Sequence, residues 1–218
     1  VLVPAHVILG LALACLVHRT GKKMSTAYRI ILYIPTIMTT VSVATAWSYL
    51  YDTDFGVINY FLEKLGIDKI PWLNSSVWAF WAIVIFSIWK FVGTPFLYYY
   101  IGLQNIPTSL YEAAEIDGAN MFQKLFYITL PLMKPAIATI LIINFINCLN
   151  DLFTPLFFAQ KIEVLSVAIT TIPRETSYSM PWDLISTVGC IILLPIVIFV
   201  LIFEKQIMEG VMAGGVKQ

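Results

Sequence analysis

Five apolar runs dominate the chain: Val3 to Val17, Ile30 to Tyr51, Val77 to Ile101, Pro135 to Phe158 and Leu184 to Phe203. A membrane-crossing helix needs about 20 mainly apolar residues, and four of the runs reach that length. The first is shorter and opens at Val1 without Met, so it is expected to belong to a chain that begins further upstream. In lipid, only helices and closed barrels satisfy every backbone N–H and C=O. The runs do not alternate, so the spans are expected to be helices. The expected fold is all-α: a polytopic transmembrane helix bundle of about five spans, forming a single domain over residues 1–218.

Composition agrees. Hydrophobic residues make up 59% and charged residues 12%, against about 25% charged in soluble domains, and the mean hydropathy is +0.84. A net charge of zero gives no electrostatic footprint for nucleic acid. Cys15, Cys148 and Cys190 lie in apolar runs and read as small packing residues, not as a disulfide frame or metal site. His6 and His18 lack metal-ligating neighbours. The short apolar run from Val164 to Ile172 cannot cross a bilayer and is expected to be re-entrant or superficial. Pro35 and Pro195 are expected to kink their helices.

Orientation follows from basic residues in short loops. Arg19, Lys22, Lys23 and Arg29 follow the first span with no acid among them, which places that loop in the cytoplasm. The segment from Asp52 to Ser76 carries Asp52, Asp54, Glu63 and Asp68 against Lys64 and Lys69 and is expected outside. Parity then puts residues 102–134 and the C-terminus inside, and the segment from Lys161 to Asp183 outside.

The inner segment reads as two helices. Thr108 or Ser109 offers an N-cap, and Ser109 stands three residues before Glu112, the capping-box spacing. Tyr111, Ala114 and Ile116 are expected to share a face. Asp117-Gly118-Ala119-Asn120 breaks the helix, with Gly118 free to take positive φ. A second helix from Met121 to Tyr127 is expected to end at Leu130-Pro131.

Here the sequence resembles a known family. Glu112-Ala113-Ala114, then Gly118 after three residues, then Ile128-Thr129-Leu130-Pro131 after nine, is similar to the signature loop of binding-protein-dependent ABC importer permeases. Tyr33-Ile34-Pro35, Phe55-Gly56-Val57-Ile58-Asn59 and Leu103-Gln104-Asn105-Ile106-Pro107 resemble segments of the maltose-type carbohydrate permeases. The Gly-rich tail from Glu209 to Lys217 resembles that of one of the two permease types, the front half that of the other. The resemblance implies six or more spans, the first absent here. It implies that Glu112, Ala113, Ala114, Asp117, Gly118, Ile128, Leu130 and Pro131 form a coupling helix and its turn, docked in a cleft of a cytoplasmic ATPase dimer. ATP-Mg would be bound there and not by this chain, which lacks a phosphate-binding G-x-x-x-x-G-K-[ST] loop. A second permease subunit completing a heterodimer, and a solute-binding protein meeting the outer segments, are implied partners in a bacterial cytoplasmic membrane. Rocking between inward- and outward-open states is the implied mechanism.

Polar groups within spans mark a candidate solute path. Asn144, Asn147, Asn150 and Asp151 recur at spacings of three and four in the fourth run, and Ser87, Lys90, Thr94 and Tyr98 form a stripe in the third. Amides and a carboxylate suit sugar hydroxyls; interhelical hydrogen bonding is the alternative use. Lys90 is positioned to pair with Asp151, to meet solute, or to snorkel. Trp89 is a candidate stacking platform, whereas the hydroxyls of Thr36, Thr39, Thr40, Ser42, Thr45 and Ser48 suit bonds to their own backbone. Within the importer class a polyamine or phosphate ester is the alternative cargo. An ion-coupled carrier gives the signature loop no role, and an intramembrane enzyme finds no G-x-S-x-G or H-E-x-x-H motif; no catalytic or metal-binding residue is expected.

Overall fold

The computed structural model describes residues 1–151, 154, 158, 186–187, 189–191, 193–194, 196–198 and 200–204; of Lys22, Leu149 and Asn150 only the backbone is described. The described residues form helices without strands, as the unalternating apolar runs require. In order, these are α1 (Leu2–His18), α2 (Lys22–Ile37), α3 (Thr40–Leu50), α4 (Val57–Lys64), α5 (Ser76–Phe91), α6 (Gly93–Gln104), α7 (Thr108–Ile116), α8 (Met121–Lys124), a π turn (Leu125–Thr129), α9 (Leu130–Leu132) and α10 (Lys134–Asn150). Described residues between 186 and 204 are also helical. The run Val164 to Ile172, Pro195 and the Gly-rich tail lie outside the described residues.

Among the described residues no single helix is long and apolar enough to cross a membrane. Three consecutive pairs are so only together, each bent at its break: Lys23–Ile37 with Thr40–Leu50, Ser76–Phe91 with Gly93–Gln104, and Met121–Leu132 with Lys134–Cys148. The expected second and third spans are thus interrupted. Pro35 lies inside α2 and the helix continues through it, breaking only after Ile37. Ile8, Leu16, Ile30, Ile31, Ile34 and Ile37 are exposed, the surface lipid favours.

The chain divides into two compact units. Within the described residues, the first draws on Ile37–Lys90 and Ile146–Val197, with Val1–Leu2; the second on Val3–Thr36, Phe91–Phe145 and the residues from Ile198. The first unit packs Val43, Ala44, Tyr51, Trp72, Ala82, Phe86 and Phe158. Its rings interlock: Trp47 lies 5.1 Å from Trp89 and 5.6 Å from Phe86, and Tyr51 lies 5.8 Å from Phe158. The second unit packs Ala14, Val17, Phe96, Tyr99, Leu103, Met133 and Ile140. There the absence of a side chain at Gly93 lets α6 sit against α2, since a Cβ would stand 2.5 Å from the Leu32 carbonyl oxygen and 2.7 Å from Thr36 Oγ1.

In the first unit, Asn59 organises the segment 52–76. Its buried Nδ2 donates to the carbonyls of Ile70 at 2.9 Å and Thr53 at 3.1 Å, and Oδ1 accepts from Ile70 N at 3.2 Å and Trp72 Nε1 at 3.1 Å. Backbone N–H groups of Phe55 and Asp54 reach Asp52 Oδ1, each at 2.9 Å, and hold that carboxyl below its ordinary range. Asn59→Leu leaves these buried groups unmatched, at about 1–3 kcal/mol each. The expected result is a lower thermal midpoint and new protease cleavage between residues 65 and 71; unchanged melting and digestion would count against the hub.

Candidate functional site

The candidate site is the loop joining α6 to α10, within the second unit. Pro107, at φ −58° and ψ 129°, precedes α7 and fits a helix entry with its fixed φ. No side chain caps α7: Ser109 and Glu112 do not form the expected box, because the helix already starts at Thr108 and places Ser109 inside its first turn. The far end of α7 closes on Gly118, at φ +75°. Gly118 N–H donates to Glu115 O at 3.0 Å, and Ala119 N–H to Ala114 O at 2.8 Å. This paired closure is a Schellman turn, which needs left-handed backbone at the residue Gly118 occupies.

Asn120 then starts α8 with the capping box the sequence reading assigned elsewhere. Gln123 N–H donates to Asn120 Oδ1 at 2.9 Å, and Asn120 N–H donates to Gln123 Oε1 at 2.7 Å. The helical path continues through a π turn and past Pro131, closing at Met133. Proline is tolerated there because it occupies the first turn of α9.

The loop has two sides. Glu112, Ala113, Asp117 and Gly118 are exposed, with Ile116 87% exposed; Ala114, Ile128 and Leu130 are half-buried, and Pro131 is exposed. Tyr111 faces inward, so it does not share a face with Ile116: its hydroxyl lies 2.9 Å from Thr129 Oγ1. Lys124 Nζ donates to Glu115 Oε1 at 2.6 Å and holds that carboxyl below its ordinary range. Exposed Leu110, Ile116, Phe122, Phe126 and Tyr127 add an apolar surface of the kind that marks a contact with protein or membrane.

The candidate path residues separate. Ser87, Lys90, Asn147 and Asp151 belong to the first unit, Thr94 and Asn144 to the second. Lys90 is 1% exposed, and its Nζ donates to the Met38 carbonyl at 2.7 Å, where α2 has ended; Asp151 acts on it electrostatically. Ser87 is buried and Thr94 half-buried. Asn144 is buried and donates to Ile140 O of its own helix at 2.9 Å, whereas Asn147 is exposed. The Asn150 side chain lies outside the described residues. Trp89 packs against Trp47 and is 39% exposed.

The family model for the binding-protein-dependent transport system inner membrane component matches residues 6–210. The chain belongs to that family. As a binding-protein-dependent transport component it is an integral membrane protein and not an enzyme. It is 40% identical over 150 residues to the trehalose/maltose transport system permease protein MalF of Thermococcus litoralis, covering 68% of this chain and 50% of that protein. It is 39% identical over 153 residues to the sulfoquinovosyl glycerol transport system permease protein SmoG of Agrobacterium fabrum, covering 70% and 49%. The chain thus spans about half the length of these relatives. In structure it is similar to a chain of a bacterial alginate ABC transporter crystallised with an alginate pentasaccharide-bound periplasmic protein, at TM-score 0.74 and 25% identity, covering 92% of this chain and 69% of that one.

The sequence reading missed Asn120 and Gln123 as the cap; their three-residue spacing just after Gly118 was the available signal. Asn120→Ala is expected to destabilise the start of α8 by about 1 kcal/mol. Amide exchange at Gln123 should then quicken by roughly fivefold. An unchanged rate would remove the cap from the account.

Proposed function

We propose that this transport component is the permease subunit of an ATP-driven ABC importer moving a sugar or sugar-derived solute into the cytoplasm by alternating access. The observation that carries the reading is α7: a short exposed helix, locked at its end by Gly118, that presents Glu112, Ala113, Ile116 and Asp117 outward. A rigid protrusion with small, acidic and apolar side chains suits docking into a cleft of a partner ATPase dimer, which binds ATP-Mg. The heterodimeric second permease and the solute-binding protein complete the assembly.

The orientation rests on the basic residues of the first loop, Arg19, Lys22, Lys23 and Arg29, with no acid among them. On that basis the 102–134 segment and the C-terminus are cytoplasmic, in a multi-pass bacterial inner-membrane protein. A sugar is favoured by the names of the relatives, and by Asn147, exposed within the aromatic-rich first unit. A phosphate ester finds less support, since the Lys90 ammonium is buried against the Met38 carbonyl.

In proteoliposomes with all partners, Glu112→Lys and Gly118→Leu should leave insertion intact. Solute-stimulated ATP turnover should fall about 5- to 150-fold, the span of ordinary coupling free energies, with loss of ATPase co-purification. Normal turnover in both variants refutes the docking assignment. Radiolabelled-sugar uptake should drop more for Asn147→Leu than for Asn144→Leu, because Asn144 is committed to its own helix. Equal effects would remove Asn147 from the path.

A further inference from the structure

The second unit also holds a half-open cavity of about 460 Å³, walled by the ends of α1 and α6, by α7 and by the turn after α8. That volume lies within the roughly 300–1,000 Å³ of small-molecule sites. Its lining holds two strong cations, Arg19 and Lys124, and one carboxylate, Glu115. Glu115 is engaged by Lys124 at 2.6 Å. Arg19 has no carboxylate within 4.0 Å among the described residues. Its Nη1 faces the Met121 sulfur at 3.0 Å, a weak acceptor, and its charge acts on the neighbouring Cys15 thiol.

A guanidinium offers a fork of N–H donors matched to phosphate or carboxylate oxygens. Here the fork, on an exposed side chain at the cavity mouth, meets only the Met121 sulfur among the described residues. The wall also carries Tyr111 and Thr129, whose hydroxyl oxygens lie 2.9 Å apart. Thr129 closes the π turn, a geometry that recurs at functional sites. Cation, hydroxyl pair and apolar Met121 side therefore line one chamber.

We propose that this cavity binds a phosphate monoester on a small hydroxylated body, with Arg19 as the anion anchor. The ligand is a soluble sugar phosphate or the headgroup of a phosphomonoester lipid. Bound there, it bridges the end of α1 to α7 and stiffens the helix that carries Glu112. The site lies within one unit; its effect on the helix that carries Glu112 and the assembled test rest on the transport reading, whereas protection of Cys15 is read from this chain alone. Arg19 also offsets the carbonyl end of α1, a role that needs no ligand.

The test uses the full chain, assembled with its partner subunits in phosphatidylcholine nanodiscs. Maleimide modification of Cys15, a half-buried residue on the cavity wall, is followed by peptide mass spectrometry. Glucose 6-phosphate should slow modification in one arm, or phosphatidic acid doped into the nanodisc in another. The first result assigns a soluble ligand and the second a lipid headgroup; either supports the site. Arg19→Gln should raise the concentration for half-protection about tenfold, or 1.4 kcal/mol, and Arg19→Lys should restore most of it. Basal ATP turnover without probe should be unchanged. Unaltered Cys15 reactivity with both probes, equal protection in Arg19→Gln, or protection by plain glucose as strong as by its phosphate overturns the proposal. Where Arg19→Gln fails to assemble, glucose against glucose 6-phosphate decides the soluble arm and diacylglycerol against phosphatidic acid decides the lipid arm.

Discussion

A helix that stops leaves carbonyls and amides without partners, and lipid supplies none. This constraint explains why a chain with interrupted helices needs its polar side chains where it has them. After Ile37 the helix ends, and the Met38 carbonyl is met by Lys90 Nζ at 2.7 Å. Burying an ammonium is costly unless it is hydrogen-bonded or paired; a freed carbonyl and the field of Asp151 offset part of that cost. The same lysine that looks anomalous in an apolar run is thus what makes a broken helix tolerable. Thr39 Oγ1, donating to Ser42 Oγ at 2.8 Å, sits at the restart.

The loop at 105–133 solves the same problem with backbone and short side chains. The Schellman closure on Gly118 satisfies carbonyls at the end of α7, and the Asn120–Gln123 box satisfies amides at the start of α8. Side-chain bonds elsewhere hold helices together within each unit: Ser25 with Tyr100 at 2.6 Å in one, and Tyr51 with the Ala82 carbonyl at 3.0 Å in the other. Such bonds are worth about 0.6–2 kcal/mol in membranes. Their effect is as much on register as on stability.

Fold class was legible because length and lack of alternation act over whole runs. Gly118 was legible because left-handed backbone selects glycine strongly. The breaks were not. Pro35 lies inside α2 and the helix runs on to Ile37, because a missing N–H can be tolerated while neighbouring helices and local backbone shifts supply the difference. The break falls instead where Lys90, distant in sequence, supplies a donor. Ser109 and Glu112 had the spacing of a capping box but not the position, since Pro107 starts α7 too early. Asn59 stood in the family-like segment from Phe55, but nothing local marked it as a hydrogen-bond hub, because its partners Ile70 and Trp72 lie across a turn. Asn144 and Asn147 share a helix, and sequence spacing could not tell the one bonded to Ile140 from the exposed one.

The two sides of the 105–133 loop bear on why its motif is so widely gapped. Residues near Glu112 and residues near Pro131 are far apart in sequence, but they do different work on one object. Ile128 and Tyr111 pack against the core, while Glu112, Ala113 and Ile116 are exposed. Thr129 and Met133 are buried where the turn enters α10. Under the importer reading, a push on α7 therefore reaches the core through short, hydrogen-bonded segments, with Gly118 fixing the angle between them. A flexible loop would absorb such a push as local disorder. A turn capped on both sides, at the end of α7 and the start of α8, passes it on as rigid displacement, because packed cores switch between discrete arrangements and do not deform continuously.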